Sequence, residues 1–176
     1  TYCRNTITRK IQNMSQTIQI EEISSSAFKV FGDVIDISGK PDKIINQGLC
    51  GRYHDRATLD FSDGRAGVSL FKAEPRTLPF ELQMVERHPD GSQIFIPMSE
   101  NGFLVIVAHN ENGLPTSPRA FLTHPGQAVN FFRGIWHGVL TPLSEPGLFA
   151  VVDRIGSGKN LEEYWFDTPY LIELKQ

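Results

Sequence analysis

Short runs of alternating apolar and polar residues, broken by glycine, proline and turn-forming polar residues, recur along the whole chain. A period of two is the mark of a strand with one buried face. The pattern predicts strands over 17–22, 33–37, 67–72, 119–123, 128–133, 135–140 and 148–155. The run 102–109 is apolar almost throughout and predicts a strand covered on both faces. Ser24, Ser25 and Ser26 offer N-caps for a brief helix over 27–31, stopped at Gly32. The segments 60–67, 110–118 and 156–159 read as loops, and the last lacks the glycine–lysine spacing of a phosphate loop. The tail to Gln176 is apolar enough to pack on the body through Trp165, Phe166, Tyr170 and Leu171. Long helical periodicity and internal repeats are absent, so short strands at close spacing predict a β-sandwich or barrel.

The stretch 80–98 carries the chemistry. It reads as strand, turn and strand, with Pro89, Asp90, Gly91 and Ser92 at the turn. Strict alternation puts Phe80, Leu82 and Met84 on one face and continues that face into Glu86 and His88. A four-residue turn would set Gln93 opposite His88. A second stretch, Phe131-Phe132-Arg133-Gly134-Ile135-Trp136-His137-Gly138, supplies another strand-borne histidine. Read alone, the first stretch fits a buried structural Glu–His pair as well as a reactive one.

Composition narrows the classes. The 176 residues suffice for one domain with a real core. Seventeen basic against twenty acidic residues, net −3, speaks against a nucleic-acid partner. Cys3 and Cys50 make neither a disulfide framework nor a metal-ligand spacing. No apolar run reaches membrane-spanning length, and the expected setting is the cytoplasm. Residues 1–14 are read as a peripheral extension and 15–176 as a single domain. Arg4, Arg9 and Lys10, without any acid, would also suit a transit peptide.

A His-bearing hairpin followed by a Pro-Gly turn and a later strand histidine resembles the cupin class, in which three histidines and a carboxylate face one metal. Here the corresponding positions are Glu86, His88, Gln93 and His137. The resemblance implies an all-β, cupin-like antiparallel barrel of the double-stranded β-helix or jelly-roll type, with one or two short helices. It also implies a divalent metal such as zinc, nickel or manganese on His88, Gln93 and His137. A neutral amide among the ligands would hold that metal weakly. No organic cofactor is expected.

A more specific similarity is to the ureidoglycolate lyase family. It rests on Ile45-Asn46-Gln47-Gly48, Arg52-Tyr53-His54-Asp55, Glu86-Arg87-His88-Pro89 with Gly91 to Pro97, Arg133 to His137, and Val152-Asp153-Arg154. The similarity implies cleavage of (S)-ureidoglycolate to glyoxylate and urea by a homodimer. Its substrate carries a hydroxyl, a ureido nitrogen and a carboxylate on one carbon. Cleavage therefore removes the hydroxyl proton and delivers a proton to the departing nitrogen, work suited to His and a perturbed Glu. The candidate catalytic residues are Glu86, His88, Gln93 and His137. Candidate substrate-binding residues are Asn46, Arg52, Tyr53, His54, Arg133 and Arg154, with Arg52 or Arg154 clamping the carboxylate. Alternatively, Arg52 to His54 serve a dimer interface, and Arg133 and Arg154 form plain ion pairs. Two other functions compete: a metal-dependent cupin oxygenase or isomerase, and a non-catalytic binder of small carboxylates.

Overall fold

The computed structural model describes residues 16–175. The expectation for residues 1–14 lies outside them. The chain is almost entirely β, in the order β1 (Thr17–Glu22), α1 (Ser25–Phe28), β2 (Gly32–Ile35), β3 (Lys43–Ile45), β4 (Cys50–Arg52), β5 (Arg65–Lys72), β6 (Phe80–Arg87) and β7 (Gln93–Pro97). It continues through β8 (Phe103–Glu111), β9 (Leu114–Leu122), β10 (Ala128–Phe131), β11 (Trp136–His137), β12 (Thr141–Pro142), β13 (Leu148–Ile155) and β14 (Glu162–Leu174). The Ser24 hydroxyl caps α1 by accepting the Ala27 N–H at 3.2 Å, as its sequence predicts.

The larger sheet runs β11-β6-β14-β1-β9-β8-β12, and a further β11–β8 pairing closes six of its strands into a barrel. All six contribute to the barrel's core, among them Ile20, Leu82, Val85, Ile106, Ala120, Trp136 and Ile172. A second sheet, β2-β10-β7-β13-β5, packs on the β8–β9 side of the barrel. Phe95, Val105, Val107, Phe121, Val129, Phe131 and Val151 fill the space between. Strand β8 sends Phe103, Val105 and Val107 to this layer and Leu104, Ile106 and Ala108 into the barrel, which explains its unbroken apolar run. Pairing is antiparallel except at β1, which runs parallel to both neighbours.

Three local expectations are corrected. First, β6 and β7 are not a hairpin. Strand β6 pairs with β14 and β11, whereas β7 pairs with β10 and β13, so residues 88–92 turn a corner between the sheets. Second, Leu82 does not share a face with Glu86. Leu82 and Val85, three residues apart, both point into the barrel, because the β6–β14 ladder is irregular opposite Gln83, between Trp165 and Tyr170. A slip of one residue reverses every side chain beyond it. Third, 110–118 is no loop. Strands β8 and β9 continue through it to a two-residue turn at Asn112-Gly113, both at positive φ. Pro115, Pro118 and a bulge at Ser117, φ 47°, disguise the second strand. The tail packs on the body as expected, through Phe166 and Tyr170, and does so as a thirteen-residue strand that forms a barrel wall, with Trp165 left exposed.

Candidate active site

The irregularity in β6 decides where its polar end points. Beyond it, Val85 enters the barrel and Glu86 turns to the inter-sheet layer. There Glu86 pairs with His137 of β11, whose other ladder partner is Val107 of the same layer. His88 follows two residues later, where the chain leaves β6. The ligand atoms of Glu86, His88 and His137 lie within 4.8 Å of one another. The imidazole rings of His88 and His137 are 5.3 Å apart.

Backbone carbonyls fix both histidines. His88 Nδ1 is 2.7 Å from the Asn160 carbonyl, and His137 Nδ1 is 3.0 Å from the Gly138 carbonyl. A carbonyl accepts only, so each Nδ1 carries a proton, and in the neutral ring the lone pair lies on Nε2. Phe131 stacks on His137 with ring centroids 4.3 Å apart and planes 5° from parallel. Gly134, at φ 77°, turns the chain between β10 and β11 so that its N–H donates to the His88 carbonyl at 2.9 Å. One turn thus braces both histidines.

Burial sets the proton affinities. His137 is 1 % exposed. Loss of hydration, with some repulsion from His88, pushes its pKa down to about 3 against a bond to the Gly138 carbonyl that works the other way. It is a neutral base at physiological pH. The Glu86 carboxyl is held above its ordinary range, chiefly by burial and further by Glu163, although His88 opposes the rise.

Gln93 faces the same inter-sheet layer from the second sheet. It is 5 % exposed and shares the inward face of β7 with Phe95. Its ladder partner is Phe131, the ring stacked on His137. His88 Nε2, His137 Nε2 and Gln93 Oε1 are all buried without a hydrogen-bond partner. Buried polar atoms rarely go unpaired, and three such ligand-type atoms turned to one layer fit a shared cation. Both histidines also show the Nδ1-to-carbonyl bond usual for imidazole ligands. The residues present therefore suit a divalent metal, with Glu86 beside it.

The other sequence candidates lie elsewhere. Arg133 precedes Gly134, whose N–H holds the His88 carbonyl, and pairs with Asp60 at 3.2 Å while remaining half-exposed. Arg154 belongs to the opposite face of β13. It is buried against Asp63, also donates to the Ser157 carbonyl, and lies under Gly91. It is a structural pair rather than a free clamp. Asn46, Arg52, Tyr53 and His54 sit on and after the β3–β4 ribbon, whose contacts are largely its own. Arg52 bonds His54 at 2.9 Å, the Tyr53 hydroxyl reaches the Gly39 carbonyl, and the His54 N–H reaches Asp42. The sequence reading missed the Asn160 and Gly138 carbonyls, which carry no side-chain signal. It also left Asp153 without a role, although alternation through 149–155 places it on the inward face with Phe149 and Val151.

The chain is similar to known proteins along nearly its whole length. The family model described as ureidoglycolate lyase matches residues 15–173. A ureidoglycolate lyase of Rhodobacter capsulatus is 56% identical over 159 residues, 90% of this chain and 99% of that one. Ureidoglycolate lyase 2 of Rhizobium meliloti is 51% identical, with 89% of this chain and 97% of the relative covered. A ureidoglycolate lyase of Mesorhizobium japonicum is 48% identical over 89% and 98% of the two chains. With a barrel of the expected class, a Glu–His–His cluster at its side and these matches along nearly the whole chain, the protein belongs to the ureidoglycolate lyase family.

Proposed function

We propose that the protein cleaves (S)-ureidoglycolate into glyoxylate and urea, with Glu86, His88, Gln93 and His137 as its reactive cluster. The observation that carries this reading is geometric: the Glu86 carboxyl, its proton affinity raised by burial, lies within 4.8 Å of two imidazole nitrogens, and the Nε2 of each ring is buried without a hydrogen-bond partner. The reaction needs one group that takes a proton from oxygen and returns it to nitrogen. In this reading Glu86 accepts the hydroxyl proton as the C–O bond becomes a carbonyl. The C–N bond breaks with its electron pair on the ureido nitrogen, and Glu86 returns the proton there. A carboxylate of ordinary proton affinity would be a weaker base for the first step.

His88 Nε2, His137 Nε2 and Gln93 Oε1 would hold a divalent metal such as zinc, nickel or manganese. When bound, it would supply a Lewis acid that lowers the pKa of the substrate hydroxyl. Elemental analysis of protein purified without added metal is expected to show partial occupancy by such an ion. Tightly held stoichiometric iron would favour an oxygenase instead. For the substrate carboxylate, the favoured clamp is Arg133, because it precedes the Gly134 turn that holds His88 and its ion pair with Asp60 is open to solvent. Arg133→Lys keeps the charge and loses the fork, so KM should rise by about tenfold with little change in kcat.

The setting is proposed to be cytoplasmic, and among the described residues no helix is long and apolar enough to cross a membrane. A homodimer is proposed through the outer face of the second sheet. Two apolar rows cross it, Val68–Val152–Ile94 and Leu70–Ala150–Ile96, with Val68 73% and Leu70 67% exposed. Light scattering on wild type and Leu70→Glu tests it: a dimer that the substitution splits supports this face, and a wild-type monomer removes it. Release of glyoxylate from racemic ureidoglycolate by the purified protein tests the main reading. No release, with or without added metal, would overturn it.

A further inference from the structure

Asp153 has no place in the chemistry above, yet it faces the same layer. Phe149 and Val151 of β13 point inward, and alternation sends Asp153 the same way. Val152 pairs with Ile94 of β7, so continuing the ladder by one residue sets Asp153 beside Gln93. Its partner on the other side is Gly67, which has no side chain to offer. Asp153 Oδ1 is buried and accepts no hydrogen bond. The fold gains nothing from an unpaired carboxylate oxygen there, and leaving one unpaired is costly. The neighbouring Arg154 cannot relieve it, because that side chain is on the far face, bound to Asp63.

We propose that Asp153 is a specificity-determining residue of this site, its carboxylate accepting an N–H of the substrate's ureido group. The inference rests on the ureidoglycolate reading and deepens it. The substrate brings three kinds of polar group. Its hydroxyl is matched to Glu86, and its carboxylate has no proton to give and would be repelled by Asp153. Only the ureido nitrogens carry the donors that an orphaned carboxylate oxygen requires. The geometry is consistent: packed sheets stand about 10 Å apart, so a group reaching from Glu86 on the barrel toward β13 must be extended, as a ureido group is. Asp153 thereby also orients the substrate, drawing the leaving end toward β13 and turning the carboxylate away.

Two stable inhibitors separate this role from a structural one. Oxalurate keeps the ureido group on a two-carbon acid, and oxalate lacks it. With wild type turning over ureidoglycolate, Asp153→Ala is expected to raise the inhibition constant of oxalurate about tenfold or more, the usual worth of a hydrogen bond to a charged group. The constant for oxalate should stay the same or fall, since a negative charge has gone. KM for ureidoglycolate should rise more than kcat falls. Asp153→Asn keeps a carbonyl acceptor and should lie between, and it decides the matter if the alanine variant does not fold. Parallel weakening of both inhibitors would make Asp153 a structural or metal-holding residue and overturn the proposal. So would no change in either. If wild type releases no glyoxylate at all, the parent reading fails first and takes this one with it, an outcome visible before any variant is made.

Discussion

At the scale of single residues, the site depends on where two imidazoles keep their protons. His88 and His137 each surrender Nδ1–H to a main-chain carbonyl, so neither can reorient without breaking a buried bond. Asparagine keeps some of that polarity at similar size. His88→Asn and His137→Asn should therefore fold, and each should lose activity by about 10²–10⁴-fold, the range for a lost acid–base group. A core role would give the reverse pattern, with a lower melting temperature and normal turnover per folded molecule. Measuring both on one preparation tells them apart, and full specific activity in a destabilised His137→Asn protein would sink the proposed site. Glu86→Gln is the sharper variant, because it keeps shape and removes the proton carrier. It should abolish turnover while leaving inhibitor binding within about threefold of wild type, the pattern of an interaction made only in the transition state.

At the scale of elements, the chain's alternation made most strands legible. Strands β1 and β13 fall where the pattern put them, because each is regular and half-buried. What stayed hidden shares a physical cause: the period of two breaks wherever the ladder bulges. The irregularity opposite Gln83 reversed the faces of β6, and the Ser117 bulge with its two prolines concealed β9. The Asn112-Gly113 pair was the available signal for that hairpin, since both residues tolerate positive φ. Glu86, His88 and His137 were recognisable as a group from their motifs. Their convergence, implied by the cupin resemblance and present in the fold, could not have come from alternation alone, because it is made by a β11–β6 pairing between strands about fifty residues apart in sequence. Arg154 and Asp153 show the same limit at adjacent positions: the motif named both, and only the strand's facing assigned one to an ion pair and the other to the inter-sheet layer. The turn at Gly134 is the element-level test. Gly134→Ala forces a side chain into left-handed backbone at a cost of about 1–2 kcal/mol. Because its N–H holds the His88 carbonyl, activity should fall more than the loss of stability explains. An alanine variant with a lowered melting point and unchanged kcat would show that the turn braces the fold alone.

For the whole molecule, the same buried groups should write themselves into the pH dependence of folding. His137 has a pKa near 3 in the fold and 6.5 as its ordinary value. Below pH 6.5 the unfolded chain takes up a proton that the folded chain refuses, so stability falls as the pH drops from 6.5 toward 3. At pH 5 this single residue costs the fold about 2 kcal/mol. Glu86 works in the opposite sense. Its carboxyl holds a proton in the fold above the 4.5 of its ordinary value, so its penalty grows as the pH rises through that range and is relieved in acid. The two slopes subtract in wild type. With metal removed by a chelator, wild type should lose melting temperature between pH 7 and pH 5. Glu86→Gln, stripped of the opposing slope, should lose more over the same interval. His137→Asn, stripped of the dominant one, should be nearly flat or should gain stability in acid. Thermal melts of the three proteins at matched ionic strength read this directly. If wild type and His137→Asn decline in parallel, the buried neutral imidazole is not what links this fold to pH, and the proton assignment that leaves His137 Nε2 free for a metal fails with it.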